Sequence, residues 1–160
     1  MKTFTILGAG WLGLELAKVL KSTYKIKVTS RNEEKLKMYE EEGFSSYILN
    51  ENNLNFLDEL LETNYLFINF PPSKFDDYLG FLDKIYCHKK IKNIEKIIFI
   101  SSTSIYPDIE GFFNEDFEIN SSSSKIVYDA EKLIENRSDI IFRVSALVGA
   151  NRVSGRRLSN

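Results

Sequence analysis

Apolar positions along the chain fall into two alternating periods. Phe4-Thr5-Ile6-Leu7 is a short β-prone run that ends at Gly8, and Leu12, Leu16, Val19 and Leu20 then recur at helical spacing as far as Ser22. Strand, turn and helix are predicted in that order. Tyr24 to Ser30 repeats the strand pattern, Asn32 is placed to cap a helix running through Glu42, and Gly43 is placed to end it. Phe44 to Leu49 predicts a shorter third strand. Leu54 to Leu61 has helical spacing, and Tyr65-Leu66-Phe67-Ile68-Asn69-Phe70 is a nearly continuous apolar strand halted by Pro71 and Pro72. A run without polar alternation suits a strand covered on both faces. Phe75 to Tyr86 (helix), Ile97 to Ile100 (strand), Ile126 to Asn136 (helix) and Asp139 to Val144 (strand) complete the pattern. Helical crossovers between successive strands force parallel pairing, so the predicted fold is α/β, a doubly wound parallel sheet of about six strands with helices on both faces.

A length of 160 residues, 43% of them hydrophobic and 28% charged, fits one folded domain with a true core. Residues 1–150 form that domain in this reading, and residues 151–160 form a polar tail carrying Arg152, Arg156 and Arg157. A net charge of -2 leaves no broad basic field, so neither nucleic acid nor an anionic membrane is an expected partner. One cysteine, Cys87, and one histidine, His88, speak against a disulfide framework or a zinc site, so no metal is expected. Cys87 is read as a small packing residue and His88 as favouring a helix carboxyl end. Glu15 and Lys18 interrupt the apolar N-terminal stretch, which predicts neither a signal peptide nor a membrane span, and a cytoplasmic protein is expected.

Gly8-Ala9-Gly10-Trp11-Leu12-Gly13 satisfies G-x-G-x-x-G, and it lies between the first predicted strand and the first predicted helix. The first glycine permits the tight turn, the second admits a pyrophosphate to the backbone, and the third lets helix pack on strand. Helix-start N–H groups then meet negative charge. The predicted sheet is thus Rossmann-type, with a dinucleotide as ligand. An acidic residue about 20 positions on would hold an NAD ribose. The second strand ends instead in Val28-Thr29-Ser30-Arg31-Asn32, where the Ser30 hydroxyl and Arg31 guanidinium suit a 2′-phosphate. NADP is the expected cofactor, with NAD the alternative. Between Thr103 and Lys125 the chain is too long for an idle connection and is expected to shape a site.

Asn69-Phe70-Pro71-Pro72-Ser73 and Ser101-Ser102-Thr103-Ser104-Ile105-Tyr106 close the fourth and fifth predicted strands. Together with the glycine motif they resemble the extended and atypical short-chain dehydrogenase/reductases, the NAD-dependent epimerase/dehydratase group. The resemblance continues through Asn114-Glu115-Asp116, Ala130-Glu131, Ile141-Phe142-Arg143-Val144-Ser145 and Val148-Gly149. It implies that Gly8, Gly10, Trp11, Leu12, Gly13, Ser30, Arg31, Phe70, Pro71, Pro72 and Ser101 bind the cofactor, and that Ser102 or Thr103 polarises a substrate carbonyl or hydroxyl. It also implies a Tyr-x-x-x-Lys acid/base pair, in which an ammonium one helical turn away steadies a phenolate.

Tyr128 and Lys132 match that pattern literally. Anchoring on Ala130-Glu131 and Arg143 instead puts Ser123 and Val127 at the two positions, a register with no catalytic pair, for which Tyr106 or Glu115 could substitute. Extended members also carry a C-terminal region that builds the substrate pocket, and by that comparison the substrate region is expected to be largely missing. The leading expectation is an NADP-linked oxidoreductase or epimerase acting on a sugar-like or other small hydroxylated substrate. A non-catalytic dinucleotide sensor or regulatory subunit is the alternative. The stripe of Phe75, Tyr78, Leu79, Leu82, Ile85 and Tyr86 is read first as core and second as the surface of a homodimer.

Overall fold

A computed structural model describes residues 1–145, Leu147 and Gly149 of the chain. The expected polar tail, with its three arginines, and Val148 lie outside the described residues. Six parallel strands form one sheet: β1 (Thr3–Leu7), β2 (Lys25–Ser30), β3 (Ser45–Ile48), β4 (Tyr65–Ile68), β5 (Lys96–Ser102) and β6 (Ile140–Val144). Their spatial order is β3-β2-β1-β4-β5-β6. Helices α1 (Trp11–Leu20), α2 (Leu36–Glu41), α3 (Leu57–Leu60), α4 (Tyr78–Tyr86) and α5 (Lys125–Ile134) make the crossovers.

Side chains on successive strand residues point to opposite faces, and the core divides accordingly. Ile6, Ile26, Val28 and Phe67 pack with Ala17 of α1 and Tyr39 of α2. Leu7, Leu66, Ile68, Ile97 and Phe99 pack on the other face with α3, α4 and α5. The central strands bury both faces, which explains their unbroken apolar runs. Ile68 is fully buried, and shortening it to Ala would cost about 2–5 kcal/mol. The aromatic stripe of α4 belongs to this core: Tyr78, Leu82, Ile85 and Tyr86 are buried.

Three helices begin later than their periodicity suggests, for local reasons. Asn32 gives no side-chain cap, and a 3-10 turn over Glu33–Lys35 precedes α2. The Asn50 and Asn53 side chains accept from the N–H groups of Asn52 and Asn55, and these Asx turns keep α3 to one turn. Asp77 caps α4 by accepting from Gly80 N–H at 3.0 Å, which leaves Phe75 outside the helix. Cys87 is exposed rather than packed, because it follows the last turn of α4 and contacts only the polar Asp83 and Arg137 side chains.

Candidate functional site

Strand order reverses between β1 and β4, and a cleft of about 880 Å³ opens at the carboxyl ends of the strands there. Open α/β sheets bind ligands at such switch points. The turn from β1 to α1 forms one wall, and its glycines are not equivalent. Gly8 has φ +84°, and a Cβ on it would stand 2.3 Å from the Asn69 carbonyl oxygen. A Cβ on Gly13 would stand 2.9 Å from the Gly8 carbonyl oxygen, so helix and turn touch there. A Cβ on Gly10 would meet nothing within 4 Å. The chain's packing demands the first and third glycines, whereas the second only keeps space open above the start of α1.

Neighbouring elements hold the turn in place. Gly8 N–H donates to Thr29 Oγ1 at 2.9 Å, and Tyr39 Oη donates to the Ala9 carbonyl at 3.1 Å. Burial pushes the Tyr39 phenol above its ordinary value, so it stays a neutral donor. Gly10, the N-cap of α1, has no side chain to satisfy the first N–H groups of the helix. Trp11 and Leu12 line the cleft, and Gly149 lies against the Trp11 ring, 2.8 Å from where its own Cβ would be.

At the β2 end the cleft is bordered by Ser30, Arg31, Asn32 and Lys35. Arg31 and Lys35 are exposed, and no Asp or Glu lies among the described residues of the lining. The cations on this rim are Arg31 and Lys35, with Glu33 and Glu34 between them in sequence and outside the lining. Lys35 escaped the sequence reading because a solvated lysine in a polar stretch carries no periodic signal. A second unforeseen feature braces the rim. Asn50 Nδ2 donates to the Arg31 carbonyl at 3.0 Å, and the Glu51 carboxylate accepts from the N–H groups of Asp76 and Asp77 at 2.7 Å each. One short segment thus links the β2 rim to the entry of α4.

The opposite wall combines Phe70, Pro71 and Pro72 with Ser102, Thr103 and the start of α5. Phe70 is buried against Phe75 and Phe81, with ring centroids 5.5 and 5.1 Å away. The Ser102 hydroxyl accepts from Ser104 N–H at 3.1 Å and from the Ser104 hydroxyl at 2.9 Å, capping a 3-10 turn. Thr103 is exposed at the cleft. Ser101 borders the cleft too, but its hydroxyl donates to the buried Glu131 carboxylate.

Glu131 anchors a second set of contacts. It takes two bonds from Arg143, at 2.9 and 3.1 Å, and holds that guanidinium well above its ordinary value. Arg143 also donates to Tyr106 Oη at 3.1 Å and lies over its ring. Tyr106 stacks on Phe113 and donates to the Asn114 carbonyl. The long segment after β5 is thereby tied to α5 and β6. Tyr106 is committed to this tie, and Glu115 is exposed and outside the cleft lining.

Tyr128 and Lys132 are not brought to the cleft. The buried face of α5 carries Val127, Ala130, Glu131 and Ile134, and Val127 and Ala130 reach the lining. Tyr128 and Lys132 share the next face around, where the Lys132 ammonium lies 5.5 Å from the Tyr128 ring centroid and 3.7 Å from Glu135. Ser124 lines the cleft at the position just before α5 and caps that helix. Among the described residues there is no metal-ligating cluster of His, Cys, Asp and Glu, and no helix long and apolar enough to cross a membrane.

No known protein-family model matches the chain. It is 28% identical over 171 aligned positions to protein YeeZ of Escherichia coli (strain K12), an alignment covering 98% of this chain and 62% of the relative. The chain thus spans less than two thirds of the length of that relative. Among solved structures, one assigned to the NAD-dependent epimerase/dehydratases from Methylobacillus flagellatus superposes with a TM-score of 0.75 at 22% identity, over 99% of this chain and 59% of that one. The UDP-N-acetylglucosamine 4-epimerase of Bacillus cereus superposes at 0.66 and 17%, over 93% and 62%. MoeE5 in complex with UDP-glucose and NAD superposes at 0.70 and 18%, over 99% and 59%. The chain shares the Rossmann-type fold of these structures. In this Rossmann-type sheet, the cleft is lined from β1 to β6 and their crossovers, together with Ser145 and Leu147 after β6.

Proposed function

We propose that the chain binds NADP(H), with NAD as the alternative, and serves hydride-transfer chemistry of the oxidoreductase or epimerase type on a sugar-like or other small hydroxylated substrate. The observation that carries this reading is the open backbone at Gly10, set at the uncapped start of α1, with Arg31 and Lys35 on the β2 rim and no carboxylate among the described lining residues. The glycine turn and the first turn of α1 receive the pyrophosphate. Ser30, Arg31 and Lys35 receive the ribose 2′-phosphate through charge-assisted hydrogen bonds. Phe70, Pro71 and Pro72 shape the wall facing the glycine turn. Ser102 and Thr103 offer hydroxyls to a substrate oxygen. The bound nicotinamide would supply the hydride chemistry. Structures of the same fold whose bound molecules are UDP-glucose and NAD support the sugar-like substrate class.

Calorimetric titration with NADPH and NADH, repeated on Arg31→Ala and Lys35→Ala, tests the cofactor half. Each lost charged hydrogen bond is worth about 1.5–3 kcal/mol, so NADPH affinity should fall at least tenfold in Arg31→Ala while NADH affinity changes little. Failure of the wild-type chain to bind either dinucleotide defeats the proposal. A second reading, a non-catalytic dinucleotide sensor, is favoured by one observation: the described cleft lining holds no Asp, Glu, His or Cys, and Tyr128 and Lys132 are not part of it. Turnover that Ser102→Ala or Thr103→Ala abolishes supports the enzyme. Intact binding without turnover over a panel of hydroxylated substrates supports the sensor.

A further inference from the structure

Tyr78 combines three properties found together in no other described residue of the cleft lining. It belongs to the core cluster, its ring centroid 5.6 Å from that of Phe75, and only 4% of the residue is exposed. It lines the cleft. Its hydroxyl makes no hydrogen bond among the described residues, yet it is not one of the sealed polar atoms that lack a partner, of which there are none. A buried phenol that is neither paired nor sealed off reaches open space, and the cleft is open space that this residue borders. The other buried tyrosines differ: Tyr39 donates to the Ala9 carbonyl, and Tyr86 bonds Ser138. A hydroxyl that opens on such space can exchange solvent for a ligand oxygen without breaking an internal bond.

The place of Tyr78 in the fold says which part of a ligand it meets. It opens α4, the crossover from β4 to β5, and it lines the cleft together with Phe99 of β5 and Ala130 of α5. Ser30, Arg31 and Lys35 lie across the switch point, at the β2 end. A dinucleotide whose adenosine phosphate is held at β2 extends its other half over β4 and β5. We infer that the Tyr78 hydroxyl is a cofactor-binding donor, poised to bond an oxygen of the nicotinamide half of the dinucleotide, its carboxamide or its ribose. This rests on the proposed dinucleotide site. Burial also pushes the phenol far above the usual tyrosine value, which keeps it a neutral donor and disqualifies it as a base.

Tyr78→Phe removes the oxygen alone and keeps the ring in the core. The variant is titrated with NADPH and with adenosine 2′,5′-bisphosphate, which carries the 2′-phosphate but no nicotinamide, and its melting temperature is recorded. One neutral hydrogen bond corresponds to about a threefold to tenfold loss of NADPH affinity. The bisphosphate should bind as before, and the melting temperature should hold, because no internal bond is lost. Unchanged NADPH affinity, an equal loss for both ligands, or a lowered melting temperature would each overturn the inference. Wild-type protein that binds neither ligand would refute the dinucleotide site itself, and this assignment with it.

Discussion

Substituting Gly8 and Gly10 separately by alanine divides the glycine turn into a part required by the chain and a part required by a ligand. At Gly8 the backbone is left-handed, with φ +84°, and an added Cβ would stand 2.3 Å from the Asn69 carbonyl oxygen. The left-handed conformation costs a non-glycine residue about 1–2 kcal/mol, and forcing the β4 backbone aside adds about 1–3 kcal/mol as for other overpacked sites. Gly8→Ala should therefore lose about 2–5 kcal/mol, or roughly 4–20 °C of melting temperature for a chain of this size. At Gly10 the φ is -62° and no atom lies within 4 Å of an added Cβ. There the entropy gained by restricting the unfolded chain opposes the weaker N-cap preference of alanine, and each is below about 1 kcal/mol. Gly10→Ala should melt within roughly 3 °C of wild type and yet bind NADPH at least tenfold more weakly, because the methyl group occupies the approach to the helix start. Differential scanning fluorimetry and a binding titration on the same samples read both quantities. Gly10→Ala that melts low, or that binds as tightly as wild type, would falsify the reasoning.

Arg143→Met strands the Glu131 carboxylate in the interior, where its side chain is 7% exposed. Breaking a buried pair costs about 3–5 kcal/mol, and the 20% exposure of Arg143 places this one at the low end. The melting temperature should fall by roughly 6–12 °C, and Glu131→Leu combined with Arg143→Met should recover much of that; a single variant that melts like wild type contradicts the assignment. At the far side of the sheet, the hydrogen bond from Lys90 holds the Asp58 carboxyl below its ordinary value of 3.8. A depressed folded-state value means stabilisation that is present at neutral pH and lost as pH falls through the titration of Asp58. Asp58→Asn should flatten the acid limb of a plot of melting temperature against pH below about 4, and an unaltered limb would count against the pair.

The sheet was legible because its strands are buried on both faces and its crossovers are periodic, two signals that local sequence carries in full. Helix starts were less so. Asp77, Asn50 and Asn53 set them through side-chain bonds to nearby N–H groups, and such bonds compete with the apolar spacing that announces a helix. The glycine turn announced its place, but the rest of the cleft depends on contacts between distant segments. Nothing local shows that the Ser101 hydroxyl turns to Glu131, or that Tyr78, one of six residues in an apolar stripe, borders the cleft as well as the core. Tyr128 and Lys132 illustrate the converse. Their spacing places them on one helix face, and spacing alone does not say which face packs inward; the burial of Val127, Ala130, Glu131 and Ile134 decides it.

The tie from Arg143 to Glu131 and Tyr106 also imposes an order of assembly. β6 pairs only with β5 among the described strands, and Ile140 and Phe142 on it remain 40% and 50% exposed, so apolar burial contributes little to its docking. The guanidinium that joins α5 to the segment after β5 arrives on this weakly buried strand. The glycine turn and the β2 rim can consequently form before β6 docks, while the opposite wall waits for it. In the native state the same hierarchy runs backwards. Fraying of β6, an edge strand, would release the segment from Tyr106 to Phe117 while the turn at Gly8 stays closed. Amide exchange should follow that ranking, fastest in the segment after β5 and slowest in β1 and β4.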